Sequence, residues 1–480
     1  MHFGVILRIT GVLLMLFSIA MVAPVAVALF YGEETIAPFL TAFAITFGAG
    51  ALLRFSRPRA EGELRSREGF LITVLFYVGL GLFGALPMYF APSLAHTFTD
   101  AAFESLSGLT TTGATVVSGL DDLPRSILFY RQLLQWLGGM GIIVLAVAVL
   151  PMLGVGGMQL YRAESPGPVK DTKLTPRITE TARALWLIYC SLTLACALAY
   201  WAAGMSLFDA VCHAFSTVAI GGFSTHDASL GYFASGWIES VAIVFMILSG
   251  INFGLHFLAW RRPTLYFTDR EVRTYLSALV FVAVVVVLSL LQNPGATENP
   301  VRDGIFQAVS ITTTTGFTTA NFSLWPSFVP FLLLFAAFAG GCAGSTAGGI
   351  KMMRVLLVSR QGLREIRRLI HPNGVFPVKL GREVIPDRVL DGIWGFFAAY
   401  VTIFLAMVCL VLAISGLDFV SAFSAVGACL NNLGPGLGSV ALNYADLTAP
   451  TKWLLVLAML LGRLEIFTLL VLLTPAYWRS

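Results

Sequence analysis

Four segments of this 480-residue chain combine small and polar residues in a pattern that could bind a cation through oxygen atoms. In the first three segments an aspartate precedes a glycine by 13 residues, as Asp100 precedes Gly113, and in the fourth Asp418 precedes Gly434 by 16. The segments read TDAAFESLSGLTTTGATV from Thr99, FDAVCHAFSTVAIGGFST from Phe208, RDGIFQAVSITTTTGFTT from Arg302 and LDFVSAFSAVGACLNNLGPG from Leu417. Such agreement indicates a fourfold internal duplication, with divergence or a small insertion in the fourth copy.

Each segment predicts a short helix followed by a non-helical strand. Aspartate is a favourable N-cap residue, and the small and apolar residues after it suit a helix too short to span a bilayer. The C-terminal end of such a pore helix carries partial negative charge, which favours a cation beyond it. Non-helical backbone at membrane depth is tolerated where it lines a polar cavity. Four such strands therefore predict one pore lined by carbonyl and hydroxyl oxygens.

The candidate ion-binding residues, which we name the filter, are each marked glycine and the two residues before it. Glycine adopts the positive φ that turns carbonyls inward without a side-chain clash. The filter residues are Thr111, Thr112, Gly113, Ile220, Gly221, Gly222, Thr314, Thr315, Gly316, Asn432, Leu433 and Gly434. In a single loop, threonine and glycine could equally cap a helix end or help helices pack. Four matching loops favour the pore.

A glycine-rich stretch, GGCAGSTAGG from Gly340 to Gly349, predicts an unwound loop that crosses the pore beneath the filter. Glycine inside a helix costs about 1 kcal/mol relative to alanine, which disfavours a continuous helix here. The spacing of four between some of these glycines also fits small-xxx-small packing between helices, and the two interpretations are compatible. The candidate gating residues are Gly340, Gly341, Gly344, Ser345, Thr346, Gly348, Gly349, Lys351 and Arg463.

Arg463 lies inside the last apolar run, WLLVLAMLLGRLEIFTLLVLL, with Glu465 two residues further on. A charge inside a membrane helix costs at least about 2.5–3.5 kcal/mol, so both side chains should face protein or water. Arg463 is therefore either a positive barrier in the ion path or half of an ion pair with a carboxylate of another helix. Glu465 lies on another face of the helix and is assigned only a structural role.

The composition indicates a helical membrane protein. Mean hydropathy is +0.83, 57% of the residues are hydrophobic and only 12% are charged. The first apolar run, from Ile9 to Phe30, is longer than the ~7–15 residues of a signal-peptide core, so we predict a retained helix. We predict ten apolar spans, at 4–30, 36–53, 70–92, 126–153, 184–204, 235–260, 272–292, 327–358, 389–415 and 450–474.

Basic residues are concentrated in alternate connections between these spans. Four connections, 54–68, 155–183, 261–273 and 351–388, hold 23 of the 30 lysine and arginine residues. The positive-inside rule makes that face cytoplasmic, and an even number of spans places both termini there. The four filter segments then lie in connections that open to the outside.

The sequence contains none of the enzyme motifs that a membrane hydrolase would need. None of its six histidines forms H-E-x-x-H, and G-x-S-x-G does not occur. His213 lies within a predicted pore helix, where a packing or polar contact is the expected role. G-x-x-x-x-G-K is absent, and the one G-x-G-x-x-G match, from Gly79 to Gly84, lies inside a predicted apolar span that offers no nucleotide site, so control by nucleotides requires a partner. We predict that the protein is not an enzyme and uses no organic cofactor.

The motifs TTTGATV, AIGGFST, TTTTGFTT and NNLGPG resemble those of the TrkH/KtrB/HKT superfamily of potassium transporters, and within it the bacterial TrkH branch. The resemblance covers essentially the whole chain. It implies an all-α membrane protein, with four pseudo-symmetric helix, pore-helix, helix repeats around one central pore and two further N-terminal transmembrane helices. The implied units are an N-terminal two-helix domain, 1–69, and four pore repeats, 70–183, 184–271, 272–388 and 389–480.

The resemblance also implies the function: potassium uptake through the filter, with K⁺ as the transported ion and the loop of repeat three as gate. In plant relatives a serine in place of the first filter glycine accompanies sodium permeation, so Gly113 favours potassium. An alternative is a symporter coupled to Na⁺ or H⁺, since carbonyl sites near mid-membrane also occur in coupled transporters.

The expected partners follow from the same resemblance. They are a second copy of the chain in a homodimer, a cytosolic TrkA-like ring of nucleotide-binding RCK domains, and the lipid of a bacterial inner membrane, with no nucleic acid. The basic 351–388 segment could dock the ring, or its charges could be ordinary positive-inside flanking.

Overall fold

The structure is a computed structural model that describes residues 2–56, 66–94, 97–149, 178–326, 328–380 and 383–479. In these parts of the chain the regular structure is helical, apart from one two-residue strand pair, Lys379–Leu380 with Glu383–Val384. The predicted all-α membrane fold is therefore confirmed. Two of the basic connections, at 57–65 and 150–177, lie outside the described residues.

The helices follow the predicted order. The N-terminal part contains Phe3–Ala20, Val22–Tyr31 and Ile36–Phe55. Repeat one contains Ser66–Gly84, Leu86–Phe90, pore helix Phe98–Leu109 and Arg125–Val149. Repeat two contains Ile178–Ala202, pore helix Leu207–Val218, Gly236–Ser249, Phe253–Ala259 and Leu265–Thr268. Repeat three contains Arg270–Gln292, pore helix Pro300–Thr312, Phe328–Ala339 and Met352–Ile370. Repeat four contains Asp387–Ser415, pore helix Phe419–Leu430, Ala449–Arg463, Phe467–Leu473 and Pro475–Trp478.

Six helical stretches of the described chain are long and apolar enough to cross a membrane. They are Phe3–Tyr31, Ile36–Phe55, Glu68–Phe90, Arg183–Ala202, Arg270–Gln292 and Asp387–Ser415. Large apolar side chains on their outer faces are exposed, such as Leu194, Phe281 and Leu405. An apolar outer surface of this extent fits contact with lipid and not with water.

The second helix of every repeat is interrupted, which the prediction of unbroken spans missed in three of the four repeats. The helix of repeat one contains Gly141 at φ 38° and ψ −143°. The paired helices of repeats two and four bend by 95° and 115°, and repeat three is non-helical from 340 to 351. The prediction of 126–153, 235–260 and 450–474 as unbroken spans was therefore wrong, whereas within 327–358 the chain is non-helical where the unwound loop was predicted. Packing against the pore helices overrides the helical tendency of these apolar runs.

The pore helices are close to equal in length, with 12, 12, 13 and 12 residues, but their N-caps differ from the prediction. Aspartate is the N-cap only in repeat four, at Asp418. Thr97 and Ser206 are the caps of repeats one and two, and each accepts a hydrogen bond from the N–H of an aspartate three residues later. The cap of repeat three is Asn299.

The position of the aspartate relative to the N-cap explains why the spacing from aspartate to filter glycine differs in the fourth repeat. Thr97, Ser206 and Asp418 each precede the filter glycine of their repeat by 16 residues. The fourth copy therefore contains no insertion between cap and glycine. Its aspartate occupies the cap itself, whereas the first two copies carry theirs at the third helical position, where it also favours the helix dipole.

The pore helices form the centre of the fold. The nine residues from Ala101 to Leu109 are all buried, as are the nine from Gly304 to Thr312 except Ile305. Small residues predominate on these helices, and the surrounding long helices cover them on all sides. The ends of the four pore helices are thereby fixed relative to one another, which positions the filter.

Candidate functional site

All four pore helices end in the same hydrogen-bonding motif, immediately before the filter glycine. The residue before each filter glycine donates its backbone N–H to a carbonyl five residues back, as Thr112 does to Ser107 at 2.8 Å. The same 2.8 Å bond joins Gly221 to Ser216, Thr315 to Ser310 and Leu433 to Ala428. This is a Schellman motif, in which the preceding residue takes a left-handed conformation.

The left-handed position of this motif is occupied by a residue other than glycine in every repeat. The φ angles are 54° at Thr111, 54° at Ile220, 66° at Thr314 and 52° at Asn432. A β-branched residue such as Ile220 strongly disfavours this region, and a strained backbone of this kind costs about 1–3 kcal/mol. Strain of this size clusters at functional sites, so its fourfold repetition supports the choice of the filter as the candidate site.

The filter glycines have positive φ as expected: 79° at Gly113, 78° at Gly222, 86° at Gly316 and 94° at Gly434. Left-handed residues therefore alternate with ordinary ones along each filter segment. This alternation lets successive carbonyls turn towards the same side of the chain.

A ring of close contacts joins the four filter segments. A Cβ atom on Gly113 would lie 2.0 Å from the carbonyl oxygen of Gly221, and one on Gly222 would lie 2.0 Å from that of Thr315. A Cβ on Gly316 would lie 2.1 Å from the carbonyl oxygen of Leu433.

The fourth contact closes this ring. A Cβ on Gly434 would lie 2.8 Å from the carbonyl oxygen of Thr112, which belongs to repeat one. Each filter glycine thus faces the carbonyl of the next repeat, in the order one, two, three, four and back to one. The twelve filter residues lie around one common axis with backbone carbonyls at each junction.

The side-chain hydroxyls of the filter threonines are bonded within the protein. Those of Thr112 and Thr110 are 2.8 Å apart, and those of Thr315 and Thr313 are 2.7 Å apart. The Thr314 hydroxyl accepts the N–H of Gly348 at 2.7 Å. The hydroxyls that the sequence also suggested as ion ligands are therefore already engaged within the protein.

The sequence as a whole matches a family model described as TrkH, cation transport protein, over residues 36–480. The chain belongs to the TrkH family. Proteins named Trk system potassium uptake protein TrkH, from Vibrio parahaemolyticus and Escherichia coli, are 56% and 53% identical to it, and each alignment covers 100% of both chains. The crystal structure of the potassium transporter TrkH from Vibrio parahaemolyticus superimposes with a TM-score of 0.90 at 52% identity, and covers 100% of each chain.

This TrkH-family chain also has a buried ion pair behind the filter, which the sequence argument missed. Arg131 and Glu104 lie 2.7 Å apart, and each side chain is 1% exposed. Glu104 accepts the Thr115 hydroxyl and the Val116 N–H, both at 3.0 Å, and Arg131 donates to the Ser224 carbonyl at 3.2 Å. The pair thus fixes the segments that follow the filter in repeats one and two. The available signal was the single glutamate in the middle of this pore helix.

Two neutral side chains orient filter carbonyls directly. Gln135 donates to the Gly221 carbonyl at 2.6 Å and accepts the Phe223 N–H at 3.1 Å. The Tyr444 hydroxyl donates to the Gly434 carbonyl at 2.8 Å. Sequence spacing could not reveal either contact, because Gln135 is 86 residues from Gly221 and the Tyr444 contact depends on how its connection folds back on the filter.

The loop 340–351 lies against the ends of three pore helices. Its Gly348 N–H bonds to Thr314, its Gly349 N–H donates to the Asn431 carbonyl at 3.1 Å, and the Thr346 hydroxyl donates to the Val218 carbonyl at 3.0 Å. The structure therefore brings the predicted gate and the filter together, with direct contacts to repeats two, three and four.

The loop is compact and non-helical, so helix–helix packing through a small-xxx-small stripe does not occur here. Gly340, Gly344 and Gly349 have positive φ, and a Cβ on Gly340 would lie 2.2 Å from the Gly348 carbonyl oxygen. Lys351, at φ 81°, donates its Nζ to the carbonyls of Ser345 and Ala347. The Gly341 carbonyl accepts the Met352 N–H at 2.9 Å, which closes the base of the loop.

Arg463 joins this loop to repeat one. It is the last residue of Ala449–Arg463, just before the 115° bend. Its guanidinium donates to oxygen atoms of Tyr77, Thr111, Gly138, Gly139 and Thr346, at 2.6–3.3 Å. The positive charge of the Arg463 guanidinium is thereby held among carbonyls and hydroxyls directly beneath the filter. Glu465 forms an ion pair with Arg354, consistent with the structural role assigned to it.

A histidine between two carboxylates joins the connections that follow the filters of repeats one and two. His226 Nδ1 lies 2.5 Å from Asp121, and its Nε2 lies 3.6 Å from Asp209. Its ring stacks on Tyr232 at 3.5 Å. Burial lowers the pKa of His226, but the hydrogen bonds and negative charges of Asp209 and Asp121 outweigh burial and raise the pKa above its ordinary value.

The ring of glycine contacts predicts the effect of adding one methyl group. Gly222→Ala should lower cation flux at least about tenfold, because its Cβ would overlap the Thr315 carbonyl in addition to the ~1–2 kcal/mol of left-handed strain. Gly119→Ala is the matched control, since Gly119 also has positive φ, at 72°, but nothing lies within 4 Å of its Cβ position. Flux into proteoliposomes measures both variants. Equal flux through the two would show that the ring contact is unimportant.

The His226 cluster predicts a pH-dependent contribution to stability. Because the folded pKa is raised, protonated His226 stabilises the protein fully below the unfolded pKa of about 6.5, and this contribution is lost as pH rises through the folded value. The loss of melting temperature in His226→Gln should therefore be larger near pH 6 than near pH 9. His371→Gln, at an exposed position, serves as control. A His226→Gln effect independent of pH would contradict the protonated cluster.

Proposed function

We propose that this chain takes up potassium through the ring of filter carbonyls. The observation that carries the proposal is the closed set of four glycine–carbonyl contacts around one axis. The full-length similarity to proteins named as potassium uptake proteins supports potassium as the ion. A glycine at the first filter position, Gly113, is in accord with that choice.

The physical basis is replacement of the hydration shell. A dehydrated cation in the ring would meet carbonyl oxygens from four repeats, and the C-terminal ends of four pore helices would add negative potential. A cell-negative membrane potential contributes about 2.3 kcal/mol per charge per 100 mV, which is enough to draw a cation inward without coupling to another ion.

In this proposal the loop 340–351 and Arg463 together form the gate. The loop contacts the filter segments or pore-helix ends of repeats two, three and four, and Arg463 contacts Thr111 of the remaining repeat, repeat one. Displacement of the loop would therefore free the inner side of the filter on repeats two, three and four, and would remove the Thr346 carbonyl that helps to hold Arg463 beneath repeat one. Arg463 would act as the positive barrier in the closed pathway, and its hydroxyl and carbonyl partners would hold it there.

The remaining expectations form part of the same proposal. The chain would act as a homodimer in a bacterial inner membrane, with both termini cytoplasmic and with units at 1–69, 70–183, 184–271, 272–388 and 389–480. A cytosolic TrkA-like ring of nucleotide-binding domains would control the gate. The exposed arginines of Met352–Ile370, the helix that follows the loop, are the best-placed surface for it.

The decisive experiment is flux in liposomes that contain only the purified chain. Gradients of potassium, rubidium, sodium or lithium are imposed at a clamped potential. We expect potassium and rubidium to enter down the electrical gradient, and sodium to enter much more slowly. A requirement for a sodium or proton gradient would instead identify a coupled symporter, and equal entry of all four cations would contradict a selective filter. Vesicles without protein provide the baseline.

The gating proposal is tested by shortening the loop. Deletion of residues 343–347 should raise potassium flux severalfold, because it removes the Thr346 contacts with Val218 and Arg463. Thr346→Ala, which removes only the hydroxyl bonds to the carbonyls of Val218 and Ser249, should raise flux by less. Size-exclusion chromatography and thermal melting verify the fold of each variant. Unchanged or lower flux through a folded deletion variant would reject the gate.

A further inference from the structure

A small pocket lies where the interrupted second helices of repeats three and four meet the first helix of repeat four. It has a volume of about 220 Å³ and is lined by Arg354, Arg388, Gly392, Phe396, Glu465 and Phe467, among others. These residues come from Met352–Ile370, from Asp387–Ser415 and from the bend after Arg463. Neither the filter nor the proposed gate accounts for this pocket.

The charged residues of the pocket leave an excess of positive charge. Arg354 pairs with Glu465, and its guanidinium lies 4.2 Å from the centre of the Phe396 ring. Arg388 is exposed at the other end of the pocket, and no carboxylate lies within 4.0 Å of it among the side chains that the structure describes. The described lining therefore carries two positive charges and one negative charge.

The rest of the lining is apolar. Phe396 and Ile393 are buried, and Phe467 is partly exposed along the wall. Gly392 leaves the pocket open, because nothing lies within 4 Å of its Cβ position. A fully hydrated anion would gain no binding energy from this apolar wall, whereas an amphipathic anion would match both the charged and the apolar part of the pocket.

The pocket lies near the start of the helix Asp387–Ser415, which places it at a membrane surface. Asp387–Ser415 has 29 residues, so it is about 44 Å long, whereas the hydrocarbon core of a bilayer is about 30 Å thick. Its first turns, with Arg388, therefore project into the headgroup region. Phe396, two turns further on, lies at the depth where acyl chains begin.

We propose that this pocket binds the phosphate headgroup of an anionic membrane lipid. Arginine binds phosphate through paired N–H groups, and Arg388 supplies the accessible guanidinium. Basic pockets between membrane helices at the cytoplasmic side suit such headgroups, and the assignment of this side rests on the orientation in the proposed function. The acyl chains would extend along Phe396 and Phe467.

A lipid in this position would lie beside two of the helix interruptions, the loop 340–351 of repeat three and the bend of repeat four. Arg354 donates to the Ile350 carbonyl at 3.2 Å, at the end of the loop 340–351. Its partner Glu465 has positive φ, at 53°, within the bend of repeat four. The bound headgroup would therefore lie next to the Arg354–Glu465 ion pair, which joins the helix after the loop to the bend after Arg463.

Native mass spectrometry of the purified full-length chain tests the site without any need for ion flux. Phosphatidylglycerol or phosphatidylcholine is added to the detergent-solubilised protein, with and without millimolar inorganic phosphate. We expect phosphatidylglycerol to be retained in preference to phosphatidylcholine. We expect Arg388→Gln to lower its retention about fivefold, the equivalent of about 1 kcal/mol for one basic residue. Arg367→Gln, at an exposed position of the same basic face, should have no effect.

A second pair of variants changes the volume of the pocket and leaves its charge intact. Gly392→Leu should fill the pocket and lower phosphatidylglycerol retention to a similar extent. Gly395→Leu is the matched control on the same helix, since its Cβ position is also open and the residue lies outside the lining. Equal retention by both members of either pair would overturn the proposal. Displacement of the lipid by inorganic phosphate would assign the site to free phosphate instead. Failure of the flux experiment would leave these results unaffected.

Discussion

The structure depends on one steric constraint: at each filter glycine the space of a side chain is taken by a backbone carbonyl of the next repeat. Gly113, Gly222 and Gly316 would each place a Cβ within 2.0–2.1 Å of such an oxygen. Four chain segments can approach one axis this closely only if glycine occupies each junction. The Schellman ends of the pore helices, the strained residue before each junction and the buried centre of the fold all serve to hold the segments at this distance.

The same closeness creates a problem of backbone hydrogen bonding inside the membrane. Non-helical segments there must satisfy their polar groups within the protein, since lipid offers no partner. The interrupted second helices provide the solution. The loop 340–351 donates N–H groups to Thr314 and Asn431. Arg463, the last helical residue before the bend, supplies donors to carbonyls and hydroxyls of repeats one and three. Filter support and candidate gate are therefore made of the same interactions.

Much of this arrangement could be predicted from residue types. The repeated glycine and its preceding polar residues indicated four pore helices and one axis, and the density of glycine from Gly340 to Gly349 indicated the non-helical loop. The prediction was wrong where the pattern was ambiguous. Asp100 and Asp209 looked like caps, but the hydroxyls of Thr97 and Ser206 perform that role. The apolar run around Arg463 looked continuous, because hydropathy does not register a bend that packing imposes.

The sequence by itself determined the membrane fold, the fourfold repeat and the position of the filter, because hydrophobic periodicity and glycine placement are local properties that each segment carries alone. Only the tertiary structure decided which carbonyl faces which glycine, that Gln135 and Tyr444 orient two of these carbonyls, and that Arg131 and Glu104 are partners. These contacts join different segments of the chain, and their geometry depends on how those segments pack together. No spacing along one segment encodes it.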